Sequence, residues 1–595
     1  MKICKILPAM TVALLSLTMV SRVSATALET TTLAMLMAQI APLPPLAQRG
    51  ERIRLNGRVL PGVWSQSQRR VGITDLGLAN LLGLKLLDTN DTTQQPVQWF
   101  SQPTVTPIVL PAWLAARYRY LDITSLATQA NWQVKTEGTT LQITTPPARV
   151  MSLRQGRQTW GDRIVVDLDQ PTPWQIAERD GEWIITVDAA VDPSLVQNFE
   201  AGPGNLLTAL DLSAEQNQVT VRVGVPASFR PRVFTLNQPN RLVIDIRPDS
   251  ASERNIHWAP GLRWQQRILA IGNDRFPVTV LAVDPKQTQI RLKPIWSNST
   301  TVMGISPLIT TARNWQAIAA INGGFFNRNN QLPLGAIRRD QRWLSGPILN
   351  RGAIAWNDTG EILIDRLSLQ EFIRTESGQR FPITTLNSGY VKAGMARYTS
   401  SWGPAYKTLT DHEIVITVQN DQVVSRQTAE VAGRSIPIPA NGYVLPLRSY
   451  ATAANSLDIG TRISLETKII PDTFERYPQI LGAGPLLIQN GRIVLDAKSE
   501  QFSQAFIRQA APRSAIGQTV TGLIVMVTAH NRIGGSGPTL GEIAQIMQRL
   551  GTVQALNLDG GSSTSLYLGG QLLNRPPRTA ARVHNAIGVF IRPPE

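Results

Sequence analysis

The stretch LNLDGGSSTSLYLGG, Leu556–Gly570, runs from an apolar strand into Asp559, then through two glycines and a hydroxyl cluster into a second short strand. Glycine lets the backbone approach a ligand closely. Hydroxyl side chains and backbone N–H groups in such a turn can contact that ligand. The pattern predicts either a ligand-binding loop whose acid is Asp559, or a hairpin corner with a capped turn.

The residues before this stretch predict a helix that leads into it. Thr539 and Glu542 have the spacing of a capping box, LGEIAQIMQRL carries one apolar face, and Gly551 is placed to end the helix. The strand VQALNL then leads to Asp559. A strand end that follows a helix is a usual place for a ligand site in α/β sheets. We therefore expect a large mixed α/β domain here.

Length and composition predict a multidomain α+β protein. The chain has 595 residues, 43% of them hydrophobic and 17% charged, which suits several globular domains and argues against wholesale disorder. The formal net charge is +16, and most basic residues are Arg, which binds phosphate and carboxylate in bidentate geometry. The charge is spread, without a long basic run, zinc finger or RNP-like motif, so nucleic acid is not an expected partner. A solvated basic surface accounts for most of these arginines.

The N-terminus predicts export. Lys2 and Lys5 precede an apolar run over Ile6–Val20, and Val23–Ala25 has the small residues of a cleavage site. We expect a signal peptide at residues 1–25 and a product in the periplasm, the cell envelope or the medium. An uncleaved anchor is the alternative, although the run is short for a full span. After cleavage no transmembrane segment is expected. The only cysteine is Cys4, so the mature chain would have no disulfide.

Two small modules are expected after the signal. Residues 26–50 are Pro-rich and predict a linker. Residues 51–147 predict a small α+β module: VGITDLGLANLLGL has helical apolar spacing, a second short helix follows Asp122, and WQVKTEGTTLQIT predicts a hairpin turning at Glu137–Gly138. This module resembles the copper amine oxidase N-terminal-like (stalk) domain, a likeness that implies no oxidase activity.

Residues 148–250 predict a β-sandwich. RIVVDLDQPTPW (Arg163–Trp174) and RLVIDIRPD (Arg241–Asp249) share an Arg, an alternating apolar run, an embedded Asp and a proline-bearing turn. This region resembles the AMIN domain, a cell-wall-binding module of bacterial envelope proteins. The resemblance implies peptidoglycan as a partner. An unrelated sandwich with two similar strands is the alternative.

Residues 265–593 contain six Gly-rich polar motifs. They are AINGGFFN (Ala320–Asn327), LGAGPLLIQNG (Leu481–Gly491), APRSAIG (Ala511–Gly517), TAHNR (Thr528–Arg532), NLDGGSS (Asn557–Ser563) and ARVHNAIGV (Ala581–Val589). In this order the motifs resemble the phosphodiester glycosidase family, which includes the lysosomal uncovering enzyme. The resemblance implies an exported hydrolase that cleaves sugar-1-phosphodiester linkages, of the N-acetylglucosamine-1-phosphodiester type, in cell-envelope glycans. A non-catalytic envelope glycan- or peptidoglycan-binding protein is the alternative.

Asp559 and His530 are the two candidate catalytic residues. The leaving phosphomonoester departs without much need for a proton, so one acid or base suffices, and Asp559 is the expected general base or nucleophile. Many family members carry Asp-Gly-Arg where this chain has His530-Asn531-Arg532. Either that acid is dispensable, or His530 replaces it as a proton donor.

The expected substrate-binding residues have three roles, and each also has a structural alternative. Arginines are expected on the phosphate, asparagines on sugar hydroxyls or the attacking water, and glycines with their neighbours around the pocket. Arg513 could instead pair with a nearby acid, Asn322 and Asn585 could satisfy turns, and Gly484 could be a conformational necessity. The set is Arg513, Arg532, Arg582, Asn557, Asn585, Asn322, Gly323, Gly324, Gly484, Gly560, Gly561 and Ser562.

Other chemistries lack their motifs. The chain has no GxSxG elbow, no HExxH and no GK[ST] phosphate loop, and its four histidines are far apart in sequence. No metal or other cofactor is predicted. A divalent cation near the oxygen ligands of Asp559 is conceivable, but no motif signals it.

Overall fold

The computed structural model describes residues 48–101, 107–179, 181–226, 229–248, 253–532 and 534–591. The predicted signal peptide and nearly all of the Pro-rich linker lie outside these residues. The described residues are 51% strand and 10% helix, in many sheets. Among the described residues no helix is both long enough and apolar enough to cross a membrane.

The first unit is one sheet with two short helices, in the strand order β4-β5-β6-β7-β3-β2-β1-β9-β8. Both predicted helices form, and β8 pairs with β9 across the predicted turn, where Gly138 has φ +58°. The elements are β1 (Gln48–Leu55), β2 (Arg58–Ser67), β3 (Arg70–Thr74), α1 (Asp75–Leu82), β4 (Lys85–Leu86), β5 (Gln94–Gln98), β6 (Ile108–Ala115), β7 (Tyr118–Asp122), α2 (Thr124–Gln129), β8 (Gln133–Glu137) and β9 (Thr140–Thr144).

The second unit has two sheets, β14-β10-β11-β18-β17 and β12-β13-β16-β15. Apolar side chains from both sheets share one core, as a sandwich requires. The elements are β10 (Ala148–Gln158), β11 (Gly161–Leu168), β12 (Trp174–Arg179), β13 (Glu182–Val187), β14 (Ala189–Val191), α3 (Pro193–Gln197), β15 (Ala209–Glu215), β16 (Gln218–Gly224), β17 (Arg232–Leu236) and β18 (Asn240–Ile246).

The two similar strands of the sandwich are antiparallel neighbours. In the register of β11 and β18, Arg163 faces Asp245 and Asp167 faces Arg241. Arg163 donates from Nε and Nη2 to the two carboxylate oxygens of Asp245, at 2.6 and 2.8 Å. The repeated Arg and Asp therefore place opposite charges across the same ladder, which stabilises the pairing.

The remaining described residues form several sheets, which are antiparallel except for one parallel pairing of Ile383–Leu386 with Met395–Arg397. Residues 367–478 lie between two strands of one sheet, form separate sheets, and are called the insertion below. The elements up to the insertion are β19 (Arg254–Ala259), β20 (Leu262–Ile271), β21 (Asp274–Val283), β22 (Ile290–Trp296), α4 (Leu308–Asn314), β23 (Ala319–Asn322), β24 (Phe326–Asn327), β25 (Leu332–Pro333), β26 (Ile337–Arg339), β27 (Arg342–Ser345), β28 (Gly352–Trp356) and β29 (Ile362–Arg366). The insertion contains β30 (Ser368–Thr375), β31 (Arg380–Leu386), β32 (Gly394–Thr399), β33 (Ala405–Lys407), β34 (Glu413–Gln419), β35 (Gln422–Ala429), β36 (Ser435–Pro437), β37 (Gly442–Arg448), α5 (Ala451–Ala454) and β38 (Ile463–Ile470). The last elements are β39 (Gln479–Gly482), β40 (Leu486–Gln489), β41 (Arg492–Ile493), α6 (Gln504–Arg508), β42 (Arg513–Thr519), β43 (Ile524–Ala529), α7 (Leu540–Arg549), β44 (Thr552–Asn557), β45 (Leu566–Leu568), β46 (Gln571–Leu572) and β47 (Asn585–Ile591).

Two of these sheets position the Asp559 loop. One has the order β19-β20-β21-β43-β42-β44-β40-β41, and the other has the order β22-β47-β23-β45-β46. Their facing apolar side chains belong to one core. A separate sheet, β35-β34-β37-β32-β31-β30-β38, is formed by the insertion between β29 and β39.

The helix before Asp559 is confirmed, but the expected mixed α/β domain is wrong. The Thr539 hydroxyl accepts from the Glu542 N–H at 3.2 Å, and the Glu542 carboxylate accepts from the Thr539 N–H at 2.7 Å, which completes the capping box of α7. β44 then pairs antiparallel with both β42 and β40. Neighbouring strands of this sheet are antiparallel, although α7 crosses from β43 to β44 on either side of β42.

Candidate active site

The Asp559 loop is held from two sides by the AINGGFFN motif. The Asp559 N–H donates to Gly323 O at 2.9 Å, and Asn322 Nδ2 donates to Asp559 O at 2.7 Å. Asn322 Oδ1 also accepts from Ser514 Oγ at 2.6 Å and from the Ser565 N–H at 3.0 Å. The fully buried Asn322 amide therefore ties three motifs together below the loop.

The ARVHNAIGV motif fixes the Gly323–Gly324 turn. Asn585 Oδ1 accepts from the Gly324 N–H at 2.7 Å, and Asn585 Nδ2 donates to His584 Nδ1 at 3.2 Å. His584 Nε2 must then carry its proton, because it lies 2.6 Å from the carbonyl oxygen of Val302. Burial lowers the pKa of His584 to about 4, which keeps the ring neutral. A Cβ added at Gly323 would lie 2.2 Å from Asn585 Oδ1, so only glycine fits there.

Asn557 and Gly484 join the end of β44 to the LGAGPLLIQNG motif. Asn557 Nδ2 donates to Gly484 O at 2.8 Å and to Leu558 O at 2.7 Å. Gly484 has φ +109°, and a Cβ there would lie 2.6 Å from Glu500 Oε2. Glu500 is itself fixed, since its two oxygens accept from the N–H groups of Leu486 and Gly352. Both the backbone conformation and the lack of space require glycine at this position.

The two glycines and the serine after Asp559 form a tight turn. The Gly560 N–H donates to Asp559 Oδ1 at 2.9 Å, and the Gly561 N–H donates to Pro512 O at 2.7 Å. The Ser562 side chain is exposed. The backbone carbonyl oxygen of Ser562 accepts from the Ala581 N–H and from Arg575 Nη1, both at 2.8 Å. Backbone contacts with two other motifs thus fix the turn and leave its outer side open.

Asp559 lies partly buried in this loop, and its burial raises its pKa to about 6. Four groups oppose that rise: the Ser563 hydroxyl, the Gly560 N–H, and the charges of Arg328 and Arg513. A carboxyl group that titrates near neutral pH is suited to proton transfer. Within the described residues, no group of three or more His, Cys, Asp or Glu side chains is arranged to hold a metal ion.

Arg513 supplies a buried positive charge beside this carboxyl group. Only 1% of the side chain is exposed. Nη2 donates to Gln509 O at 2.6 Å, and the guanidinium carbon lies 4.9 Å from the Phe506 ring centre. Burial lowers the pKa of Arg513 to about 10, so the group stays charged at neutral pH. Although Arg513 and Asp559 are both described, no ion pair within 4.0 Å joins them, and the glycine at 560 leaves the space beside Nη1 free of a side chain.

Known proteins resemble both this region and the whole chain. Residues 412–590 match the family model described as phosphodiester glycosidase. The chain carries a phosphodiester glycosidase domain. The human N-acetylglucosamine-1-phosphodiester alpha-N-acetylglucosaminidase is 30% identical over 122 residues, which are 19% of this chain and 24% of the human protein. The bovine protein of the same name is 28% identical over 121 residues, 19% of this chain and 23% of its own length. The chain thus spans about a quarter of the length of these relatives.

A hypothetical protein from Synechocystis, known from a crystal structure, resembles nearly the whole chain. It is 46% identical, with a TM-score of 0.85, over 92% of this chain and 99% of that one. The chain belongs to the same family as this protein. The glycosidase match begins after the AINGGFFN motif, yet the bonds from Asn322 and Gly323 attach that motif directly to the Asp559 loop.

An aromatic cluster borders the Asp559 loop on the Arg513 side. Phe502 and Phe506 stack with ring centres 4.8 Å apart, and Phe325 meets them edge-on at 5.4 and 5.6 Å. Arg351 lies 4.0 Å from the Phe502 ring centre, across the cluster from Arg513. Phe325 is partly exposed. The sequence signal for this cluster was limited to the position of Phe325 directly after Gly323–Gly324.

The structure does not bring His530 into the Asp559 loop. Arg513 and Ala529 are paired across β42 and β43, so their side chains lie on the same face of the sheet. Side chains alternate between the two faces along a strand, and His530, the next residue, therefore lies on the face opposite to Arg513. His530 Nε2 accepts from Asn574 Nδ2 at 2.8 Å. Burial, with the nearby charges of Arg575 and Arg230, lowers the pKa of His530 to about 3. The ring is therefore neutral at physiological pH, and no imidazolium is present to donate a proton.

The other two predicted arginines also lie away from the carboxyl group of Asp559. Arg532 forms an ion pair with Asp274 at the start of β21. Arg582 is exposed, directly after the residue whose N–H donates to Ser562 O. Of the three candidates, Arg513 is among the main charges that lower the pKa of Asp559. The exposed Arg328, which sequence reasoning missed, is the second cation near Asp559, and only its place at the end of AINGGFFN could have indicated it.

Proposed function

We propose that this protein is an exported hydrolase that cleaves sugar-1-phosphodiester linkages, of the N-acetylglucosamine-1-phosphodiester type, in cell-envelope glycans. One observation carries the proposal. In a loop built by the glycosidase motifs, a carboxyl group with a pKa of about 6 lies near a buried arginine that it does not neutralise by a direct ion pair. The named activity of the human and bovine relatives supplies the substrate class.

Arg513 is placed to bind the phosphate. A phosphodiester carries one negative charge, and a guanidinium binds it with charge-assisted hydrogen bonds. The bond from Nη2 to Gln509 O holds the side chain in place before substrate arrives. Such a fixed donor needs little rearrangement when charge develops on the leaving phosphate. Arg328, on the exposed side of the loop, adds a second positive charge.

Asp559 acts on the water or on the sugar. Above a pH of about 6 its carboxyl group is ionised. As a base it takes a proton from water, whose oxygen attacks the anomeric carbon; as a nucleophile it attacks that carbon directly. In either case the bond between the anomeric carbon and the phosphate oxygen breaks, and its electron pair leaves with the phosphomonoester. Water supplies the hydroxyl group of the released sugar.

The front units are proposed to hold the enzyme at the cell wall. Lys2 and Lys5 before an apolar N-terminal run support export, and the resemblances to a stalk domain and to an AMIN domain support an envelope location. Neither front unit supplies a residue to the hydrogen bonds described around Asp559. We therefore expect the first two units to affect location more than turnover.

Hydrolysis of UDP-N-acetylglucosamine by residues 26–595 in ¹⁸O-labelled water tests the proposal. We expect free N-acetylglucosamine with the label on its anomeric oxygen, because the carbon–oxygen bond breaks. Label in the phosphate would show phosphorus–oxygen cleavage and would contradict the glycosidase assignment. Binding of the substrate without turnover would favour the non-catalytic glycan-binding alternative.

A further inference from the structure

A large cavity lies between the two front units and the glycosidase region. Its volume is about 500 Å³, within the range of small-ligand sites. Lys85 reaches it from the first unit, Arg230 and Arg232 from the sandwich, and Arg254 from β19. His530 and Asn574 form part of the wall on the glycosidase side, and Asp559 is not a lining residue.

The charge on the cavity wall has one sign. Five cationic side chains line the cavity: Lys85, Arg230, Arg232, Arg254 and Arg267. No Asp or Glu is among the lining residues. Within the described part of the chain, none of these five has an acid within 4.0 Å. This contrasts with the sandwich ladder, where each Arg faces an Asp.

The cavity cations destabilise one another's charged forms. Burial lowers the pKa of Arg254 to about 10, and the charge of Arg230 acts in the same direction. Burial also lowers the pKa of Lys85, helped by Arg232 and Arg254. Asp88 opposes this effect for Lys85 and Arg254, and Glu178 opposes it for Arg230, but among the described residues neither acid forms an ion pair with these cations. Like charges gathered without a direct ion pair cost free energy in the unliganded protein, and a bound anion would offset that cost.

Two buried tryptophans pack at the cavity wall. Trp174 and Trp264 are 6% and 1% exposed, both line the cavity, and neither indole N–H has a partner among the described residues. A buried donor without a partner is uncommon in a folded protein. The Arg254 guanidinium lies 5.6 Å from the Trp264 ring centre. The wall thus combines positive charge with aromatic side chains.

We propose that this cavity is a second ligand site and that it binds an anionic sugar. Arginine and lysine select the anionic group, while indole and amide side chains suit the hydroxyl groups and apolar faces of a sugar ring. The volume suits a monosaccharide or disaccharide. The anion is either a phosphate or a carboxylate, which the same cations would bind. The proposal does not depend on hydrolysis at Asp559.

Calorimetric titration of the mature chain with four probes tests the site. The probes are N-acetylglucosamine-1-phosphate, glucuronate, N-acetylglucosamine and inorganic phosphate. We expect one or both anionic sugars to bind at least about tenfold more tightly than the neutral sugar and than inorganic phosphate. The two anionic sugars distinguish phosphate from carboxylate. Failure of both to bind, or equal binding of inorganic phosphate, would overturn the assignment of a sugar site.

Four variants locate the binding. Arg230→Gln and Arg254→Gln should each weaken it at least about tenfold. Arg222→Gln, an exposed arginine of β16 that does not line the cavity, should leave it unchanged. Arg513→Gln should remove any binding that occurs at the Asp559 site and leave the cavity binding in place. Loss of binding in Arg513→Gln together with full binding in both cavity variants would assign the sugar to the glycosidase site and overturn the proposal.

Thermal unfolding without ligand separates a binding role from a structural one. Because the cavity cations repel one another, Arg230→Gln and Arg254→Gln should melt at or above the temperature of the parent protein. The anionic sugar should raise the melting temperature of the parent and of Arg222→Gln, but not of the cavity variants. A melting temperature lowered by about 5 °C or more in both cavity variants, with binding retained, would show that the arginines are structural.

Discussion

Asp559 and His530 lie at the ends of strands in one sheet, and burial moves their pKa values in opposite directions. The pKa of Asp559 rises to about 6, and that of His530 falls to about 3. Burial favours the neutral form in each case, which is the protonated carboxyl group but the unprotonated imidazole. The neighbouring arginines lower both pKa values. They keep that of Asp559 near neutral pH and move that of His530 further below it. Of these two candidates, only Asp559 is suited to exchange a proton near neutral pH.

The largest expected effect separates these two residues directly. Asp559→Asn should lower kcat by about a thousandfold or more, because the base or nucleophile is lost. His530→Asn should change kcat by less than about threefold, since the ring is neutral and lies on the opposite face of the sheet. Turnover of UDP-N-acetylglucosamine checks both variants, with Asp458→Asn, an exposed acid of the insertion, as the control. Equal losses of kcat in the Asp559 and His530 variants would contradict the different roles assigned to the two residues.

A second test compares arginines in the same two regions. Arg513→Gln should lower kcat/KM by about ten- to a hundredfold, the cost of one charge-assisted contact with phosphate. Arg532→Gln should have little effect, because its guanidinium pairs with Asp274. Steady-state kinetics measure both, and Arg513→Lys shows whether charge alone suffices. A greater loss from Arg532→Gln would move the phosphate site toward the TAHNR segment.

Two glycines of the LGAGPLLIQNG motif should differ in how much stability is lost when each is replaced by alanine. Gly484→Ala should destabilise the fold by about 3 kcal/mol, since φ is +109° and the new Cβ would meet Glu500. Gly491→Ala should cost only about 1 kcal/mol, because φ is +75° and the space around it is open. Urea unfolding measures both. Equal costs would show that Gly484 is not confined by Glu500.

The smallest effect is a pair of opposite pH dependences. The raised pKa of Asp559 makes the folded state the stronger proton binder, so its contribution to stability falls as pH rises through the window from 3.8 to about 6. The lowered pKa of His530 makes its contribution fall as pH drops from 6.5 toward about 3. As pH rises from 5 to 7, the free energy of unfolding of Asp559→Asn should increase by about 1 kcal/mol relative to the parent. That of His530→Asn should decrease relative to the parent over the same range. Urea unfolding at several pH values checks the two signs, and slopes of equal sign would contradict them.

Local features of the fold could be predicted from sequence. The capping box of Thr539 and Glu542, the hairpin at Gly138 and the strands containing Arg163 and Arg241 depend on neighbouring residues and on alternation, and all are present. The sheet order could not be predicted in the same way. β44 lies between β42 and β40, a pairing between distant segments, and the expected α/β arrangement was therefore wrong.

The site could be predicted in part. The motif glycines and asparagines around Asp559 were named from sequence, and the structure brings most of them together. The partner of Arg532 could not be named, since Asp274 lies 258 residues away in the chain. The side of the sheet that His530 faces also depends on a pairing register that a single sequence does not reveal. For the same reason the cations of the cavity between the units could not be recognised as one group.

The pH dependence of kcat/KM for UDP-N-acetylglucosamine hydrolysis tests the central claim most directly. If Asp559 acts as the base or nucleophile, the rate should rise with pH through one ionisation with an apparent pKa of about 6. The residual rate of Asp559→Asn should lack that ionisation. A profile that is flat from pH 4.5 to 8, or an Asp559→Asn variant that keeps the ionisation at full rate, would contradict the claim.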